Sequence, residues 1–294
     1  MSSPNTISVE KLARLVGTPK CPALIDVRTV EDFEADPRLV PGAVRREYGR
    51  VADWAAHLRR GLPRSNQEDR GLPRSNEQEL RGQSAIIICQ KGLKLSQGVA
   101  ALLRHEGIPA DVLEGGHAAW TAQKLPVVAT TKLPARDGQG RTVWVTRARP
   151  KIDRIACPWL IRRFVDPKAV IMFVAPSEVT AVAERFDAAP FDIEGVFWSH
   201  RGPDCTFDVM IEELGLGIEP LKRLATIVRA ADTARLDLSP EASGLLAASL
   251  GLSRMYSDDL EQLDAGLLLY DAFYRWCRDA SDETHNWPTN KPNT

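Results

Sequence analysis

Short apolar runs alternate along this chain with segments whose apolar residues recur at helical spacing. Ala85 to Ile88 is wholly apolar and rich in β-branched residues, which predicts a strand covered on both faces. Ser96 to His105 carries Val99, Leu102 and Leu103 on one helical face, with Ser96 as candidate cap. The residues between, Gln90-Lys91-Gly92-Leu93-Lys94-Leu95, read as a tight loop joining strand to helix. Upstream, Val9 to Val16 predicts a helix capped by Ser8, and Ala23 to Val27 a buried parallel strand. Downstream, Ala110 to Leu113 predicts a last strand, and Gly115-Gly116 turns the chain into a helix from His117 to Gln123. Strands alternating with helices make residues 1–130 an α/β unit.

Residues 131–141 lose the apolar periodicity and contain Gly138 and Gly140, so they read as a linker. A mixed α+β, mainly helical unit is expected over 142–279. Its strands are Thr142 to Thr146 and Val170 to Val174, with Phe191 to Trp198 extended. One helix is expected from Asp153 to Phe164, started or interrupted at Pro158, and another from Ser177 to Phe186. Four more follow at 206–214, 219–231, 240–250 and 258–278. In the last, Leu260, Leu263, Leu267, Tyr270, Tyr274 and Cys277 form one buried stripe. Residues 280–294 read as a disordered tail.

Composition sharpens this picture in a few places. At 294 residues the chain is long for a single core, which supports two units. A net charge of −1 supplies no field to recruit nucleic acid or an anionic membrane, so neither is expected as a partner. Met1 to Thr6 lacks the basic-then-apolar order of a signal peptide, and no stretch has the roughly 18 uninterrupted apolar residues of a membrane helix. The scattered, odd-numbered cysteines (Cys21, Cys89, Cys157, Cys205 and Cys277) argue against a disulfide framework and for a reducing, cytoplasmic setting. Arg60 to Asn66 recurs as Arg70 to Asn76, which reads as the tandem expansion of one surface loop.

The chemistry concentrates at Cys89. A thiol between a strand end and a helix start meets the positive end of the helix dipole, where an anionic sulfur is favoured. Gly92 permits the curvature that turns successive amides toward one point, and Lys91 and Lys94 add positive charge. Asp26 and Arg28 end the earlier strand and read as a pair bracing the loops. His117 reads as a cap or surface group, outside the catalytic set.

The cysteine, its six-residue loop and the following helix resemble the active-site loop of rhodanese-type sulfurtransferases. Leu24-Ile25-Asp26-Val27-Arg28 with Glu31-Asp32-Phe33 resembles the early strand and turn of that family. Leu113-Glu114-Gly115-Gly116-His117-Ala118-Ala119-Trp120 with Leu125-Pro126-Val127 resembles its closing signature. The resemblance covers residues 6–130. It departs at Arg38-Leu39-Val40, where the family has Gly-His-Ile before Pro-Gly-Ala. It implies a rhodanese-like parallel sheet and a thiosulfate sulfurtransferase that forms a persulfide on Cys89. Gln90, Lys91, Gly92, Leu93, Lys94 and Leu95 would bind substrate, a small anionic sulfur donor would load the sulfur, and a thiophilic acceptor would remove it. No cofactor and no metal are assigned.

Residues 142–278 resemble the C-terminal domain of the ChrB (chromate resistance) family. The matching runs are Arg149 to Phe164, Arg229-Ala230-Ala231-Asp232-Thr233 and Gly251-Leu252-Ser253-Arg254. This implies an oxyanion context with chromate or a sulfate-like anion as ligand. The candidate site residues here are Asp153, Cys157, Arg162, Arg163, His200, Cys205 and Asp232. Cys157, His200 and Cys205 with a carboxylate could make a metal set, but the spacing is not a standard one and a surface histidine beside a half-buried cysteine is favoured over it. The arginines could instead hold a tetrahedral oxyanion, or pair in salt bridges on an amphipathic helix. The alternative to the enzyme is therefore a non-catalytic oxyanion- or metal-sensing protein whose second unit is the active part.

Overall fold

The computed structural model describes residues 5–59 and 84–283. The duplicated loop of residues 60–76 and the tail from residue 284 lie outside the described residues.

The first region is built on a five-stranded sheet of β1 (Thr6–Ile7), β2 (Ala23–Asp26), β4 (Ala43–Arg45), β5 (Ala85–Ile88) and β6 (Ala110–Leu113). The spatial order is β1-β6-β5-β2-β4 and every pairing is parallel. This is the parallel α/β sheet expected for residues 1–130. The short strands β3 (Arg38–Leu39) and β7 (Val128–Ala129) pair antiparallel beside it.

Strand β5 is buried along its whole length, and its side chains divide by the two-residue period of a strand. Ile86 and Ile88 enter one core with Leu12, Leu24 and Trp120, while Ala85, Ile87 and Cys89 enter another with Trp54, Val99 and Leu103. Helices α1 (Val9–Leu15) and α5 (Gly116–Ala122) serve the first core; α3 (Val51–Arg59) and α4 (Lys94–His105) serve the second, and α2 (Val30–Ala35) follows β2. Ser8 caps α1 by accepting the Lys11 N–H, as its position predicts.

The first of these cores does not stop at the sheet. It continues through Trp144, Trp159 and Phe164 into the second region. The Gly42 amide donates to the Phe164 carbonyl at 2.6 Å, and Arg278 donates to the Arg14 carbonyl at 3.1 Å. The segment 131–141 is pinned as well: Leu133 packs on the shared core and Arg136 pairs with buried Asp166 at 3.1 Å.

The second region has a three-stranded parallel sheet, β10 (Ala189–Pro190), β8 (Val143–Arg147) and β9 (Val170–Val174), in that order. Helix α7 (Val179–Phe186) covers one face through Val143, Val145, Val179 and Ala183. Helices α6 (Asp153–Leu160), α8 (Thr206–Glu213), α9 (Glu219–Asp232), α10 (Ala242–Met255) and α11 (Asp259–Arg275) make up the rest, so the region is mainly helical. Trp159 anchors it, with the rings of Phe164, Phe207, Tyr270 and Tyr274 at centroid distances of 5.4–6.3 Å.

Three local expectations are corrected. Pro158 lies inside α6, not at its start, and the helix relaxes into a π turn over Ile161–Val165. Phe191 to Trp198 is not a continuous strand but a chain of bends closed by one bridge between its end residues. The stripe on α11 is buried from Leu263 to Cys277, whereas Leu260, in the first turn, is 45% exposed.

Candidate functional site

Cys89 follows the central strand β5, whose neighbours are β2 and β6. The chain runs from β2 outward to β4 and then crosses back to β5, so the order reverses between β2 and β5. Ligands of open α/β sheets bind outside the carboxyl ends of the strands at such a switch point. Asp26 and Cys89 end or follow the strands on either side of it.

The side chain of Cys89 points toward α4 and is 5% exposed. Its Sγ lies 3.1 Å from the Ser96 hydroxyl, which also donates to the Leu93 carbonyl at 3.1 Å. This corrects the reading of Ser96 as a cap. The helix starts at Lys94 with Leu93 in the cap position and no side-chain cap, and Ser96 in the first turn turns inward to the thiol. Among the described residues, no backbone acceptor takes the amide of any residue from Gln90 to Ser96.

The loop rests on the turn between β6 and α5. The Cys89 and Gln90 carbonyls accept the amides of His117 and Ala118 at 2.9 and 3.0 Å. Gly92 and Gly116 have φ of 68° and 61°, and a Cβ on Gly116 would lie 2.1 Å from the Cys89 carbonyl oxygen. Two of the three sequence motifs that carry the resemblance, the Cys89 loop and the closing signature, therefore touch each other through glycine backbone. Of the expected substrate-binding residues, Lys91, Leu93 and Lys94 are exposed, Gln90 and Leu95 half-buried and Gly92 buried.

Asp26 and Arg28 form a buried pair at 2.8 Å. Arg28 also donates to the carbonyls of Asp36 and Arg38, so the pair braces the loops behind the site. Burial raises the Asp26 carboxyl above its usual range against the opposing pull of Arg28. His117 is no surface group: it is 1% exposed with Nδ1 3.9 Å from Asp36. Burial, helped by Arg28, lowers its pKa to about 4.

The candidates in the second region separate into distinct places. Arg163 makes a two-pronged pair with Asp271 at 2.9 Å, and Arg162 reaches Asp264 at 3.4 Å, so both arginines are engaged in salt bridges. Cys157 is wholly buried in the core, and burial pushes its thiol and that of Cys205 up. Among the described residues, the side chains that offer metal-ligating atoms within 4.8 Å of one another are Asp153, Asp192 and His200, and neither thiol belongs to that group. Asp232 completes the surroundings of His200, and Asp192 was not singled out from the sequence. It lies in the bends after β10, at a φ of 53°, where no periodicity marks it.

Asp153 opens α6 directly after Ile152, whose φ is 27°. A β-branched residue there costs about 1–3 kcal/mol and persists only when neighbours enforce it. Tyr270 does so by donating to the Ile152 carbonyl at 3.0 Å. Burial, reinforced by Asp232 and Asp192, pushes the Asp153 carboxyl well above the usual range. Burial acts the same way on Asp192, but His200, Arg154 and Arg147 outweigh it and hold that carboxyl low. Asp192 and Asp232 raise the pKa of His200 to about 10.

Comparison with known proteins agrees with this division. Residues 8–123 match the rhodanese-like domain, and residues 144–277 match the ChrB C-terminal domain. Protein ChrB of Cupriavidus metallidurans is 34% identical over 146 residues; the match covers 48% of this chain and 43% of that protein, less than half its length. Similar solved structures include a rhodanese-related protein from Thermoplasma volcanium (18% identity, 42% of this chain and 98% of that one, TM-score 0.31). Another is a thiosulfate sulfurtransferase from Pseudomonas aeruginosa (21% identity, 42% of this chain and 19% of that one, TM-score 0.29). Among the described residues, no helix is long and apolar enough to cross a membrane. The chain carries a rhodanese-like domain at residues 8–123 followed by a ChrB C-terminal domain at residues 144–277.

Proposed function

We propose that the chain is a sulfurtransferase in which Cys89 carries sulfane sulfur as a persulfide. The observation that carries the reading is the position of the Cys89 thiol: at the switch point of the parallel sheet, before the first turn of α4, with the Ser96 hydroxyl 3.1 Å away. The Cys89 thiolate attacks the outer sulfur of thiosulfate. A bond forms between Sγ and that sulfur, the sulfur–sulfur bond of the donor breaks, and sulfite leaves with the electron pair. A thiophilic acceptor then attacks the terminal sulfur, and Cys89 leaves as the thiolate that began the cycle.

The loop supplies what the step needs. Amides without backbone acceptors stand ready for negative charge on the donor, and the exposed Lys91 and Lys94 favour anionic donors. The helix start and the loop amides favour the sulfur as a thiolate, so no partner base is assigned to the step. The resemblance of the second region to ChrB proteins supports a setting of chromate or related oxyanion stress.

The test is thiocyanate production from thiosulfate and cyanide by the wild type beside Cys89→Ser. Turnover by the wild type alone is expected, with a persulfide mass increment on the peptide holding Cys89. Equal turnover by the variant overturns the mechanism.

A further inference from the structure

The second region carries an arrangement that sulfur transfer does not use. His200 Nε2 lies 3.5 Å from Asp153 Oδ2, 3.3 Å from Asp192 Oδ1 and 3.4 Å from Asp232 Oδ2. One ring nitrogen carries at most one hydrogen and can direct it at one acceptor. Three carboxylates thus converge on a single donor, at separations beyond the usual 2.7–3.2 Å of an N–H···O bond. Asp153 is fully buried, and its second oxygen, Oδ1, has no hydrogen-bond partner. Leaving such an oxygen bare in the interior is costly.

We propose that Asp153, Asp192, Asp232 and His200 form a binding site for a divalent first-row cation. Asp153, Asp192 and His200 hold their ligand atoms within 4.8 Å of one another, and the separations of 3.3–3.5 Å between His200 Nε2 and the three carboxylate oxygens are ones that an ion with bonds of about 2.1 Å spans, within the range of carboxylate and imidazole ligands. The ion replaces the Nε2 proton, gives the three converging oxygens one shared cation, and brings a positive charge to the carboxylate of Asp153, whose Oδ1 has no hydrogen-bond partner.

The surrounding groups hold the carboxylates in place. The Thr206 amide donates to Asp153 Oδ2 at 2.6 Å, and the Thr206 hydroxyl to Asp192 Oδ1 at 3.1 Å. Arg147 and Arg154 each pair with Asp192 Oδ2 at 3.2 Å. Such outer partners orient ligands and tune their affinity. Access is open on one side, since His200 keeps 40% and Asp232 21% of its side chain exposed, while Asp153 and Asp192 are buried. Three oxygen donors, one nitrogen and no thiolate favour Mn²⁺ or Fe²⁺ over the thiophilic end of the series.

The test uses the full chain, stripped of metal with a chelator and titrated with Mn²⁺ while the electron paramagnetic resonance signal of free Mn²⁺ is followed. Saturable uptake of one ion per chain is expected, and nitrogen coupling from an imidazole should appear in the bound signal. His200→Gln should abolish that coupling. Both His200→Gln and Asp232→Asn, at the exposed side of the site, should weaken binding by about tenfold or more. Asp153→Asn is the stricter variant, and circular dichroism separates lost binding from lost fold. Cys89→Ser should bind as the wild type does, which keeps this result independent of sulfur transfer. Absence of saturable uptake by the wild type, or unchanged affinity in folded His200→Gln and Asp232→Asn, overturns the proposal.

Discussion

The carbonyl of Cys89 accepts the backbone amide of His117 at 2.9 Å, which ties the thiol-bearing loop to the start of α5. Gly116 makes the contact possible, since a Cβ there would lie 2.1 Å from the Cys89 oxygen and 2.6 Å from the Gly92 nitrogen. Gly116→Ala therefore meets two obstacles: a φ of 61° and backbone atoms that cannot step aside. The first costs about 1–2 kcal/mol. The second forces the loop away from α5 and adds to it. Equilibrium unfolding should show a loss greater than the φ cost alone, together with faster proteolysis near residue 90. A stability within error of the wild type would refute this account of the loop.

His117 gives the same contact an acid limit. Its pKa falls to about 4, mainly through burial and then through Arg28. The unfolded chain, with an ordinary value near 6.5, binds the proton first. Folding stability is therefore complete above about pH 6.5 and declines as pH falls toward 4. The single-site loss at pH 4 is about 3 kcal/mol. His117→Gln should remove that part of the slope while the carboxylate contribution at lower pH remains. Urea unfolding of both proteins at pH 7, 5.5 and 4.5 measures it, and parallel slopes would exclude His117 as the source.

Ser96 is expected to act on the sulfur rather than on the helix. Its hydroxyl lies 3.1 Å from both Sγ and the Leu93 carbonyl and contributes no cap to α4, and its single hydrogen turns from that carbonyl to the sulfur when Cys89 is a thiolate. A hydrogen bond to a charged group is worth about 1.5–3 kcal/mol, a neutral one about 1 kcal/mol. Ser96→Ala should slow alkylation of Cys89 at neutral pH by about tenfold, corresponding to about 1.4 kcal/mol, while costing global stability no more than about 1 kcal/mol. Mass spectrometry of the Cys89 peptide against iodoacetamide reads the rate. An unchanged rate with a large stability loss would mean that Ser96 serves packing alone.

Much of the first region was legible because its signals are local. The run Ala85 to Ile88, short, apolar and β-branched, reads as a strand covered on both faces, and the structure divides its side chains between two cores. Ser8 reads as a cap and is one. Ser96 carried the same cap signal and proved to face inward, because whether a first-turn serine turns to its own helix or to a neighbour depends on what the previous strand presents. The second region hid its polar cluster for a related reason. Asp153, Asp192, His200 and Asp232 come from a helix start, a bend, a loop and a helix end. No spacing joins them; only the packing of α6, α9 and the loops after β10 does. Residue type alone would join Cys157 and Cys205 to His200, but both thiols are buried in the core, in keeping with the preference against that set.

The pair of Arg163 and Asp271 makes the last prediction, because it is the kind of contact that stability measurements resolve into parts. Both side chains are 7% exposed, joined by two hydrogen bonds of 2.9 Å, and Asp271 Oδ1 also accepts the Trp159 indole N–H at 2.8 Å. Removing one partner of a buried pair leaves a charge without compensation and costs about 3–5 kcal/mol. Asp271→Leu should fall in or above that range, since it takes the carboxylate from Arg163 and the acceptor from the indole together. Replacing both residues with apolar ones of similar size removes both buried charges, and such exchanges are often neutral. Arg163→Met with Asp271→Leu should therefore recover most of the loss, short of about 1–3 kcal/mol for the indole N–H left without an acceptor. Adding Trp159→Phe, which deletes that donor, should recover the remainder apart from the packing lost with the smaller ring. Chemical denaturation of the single, double and triple variants measures each step. A double variant no more stable than Asp271→Leu would show that Arg163 owes its place to other partners and that Asp271 serves Trp159 instead.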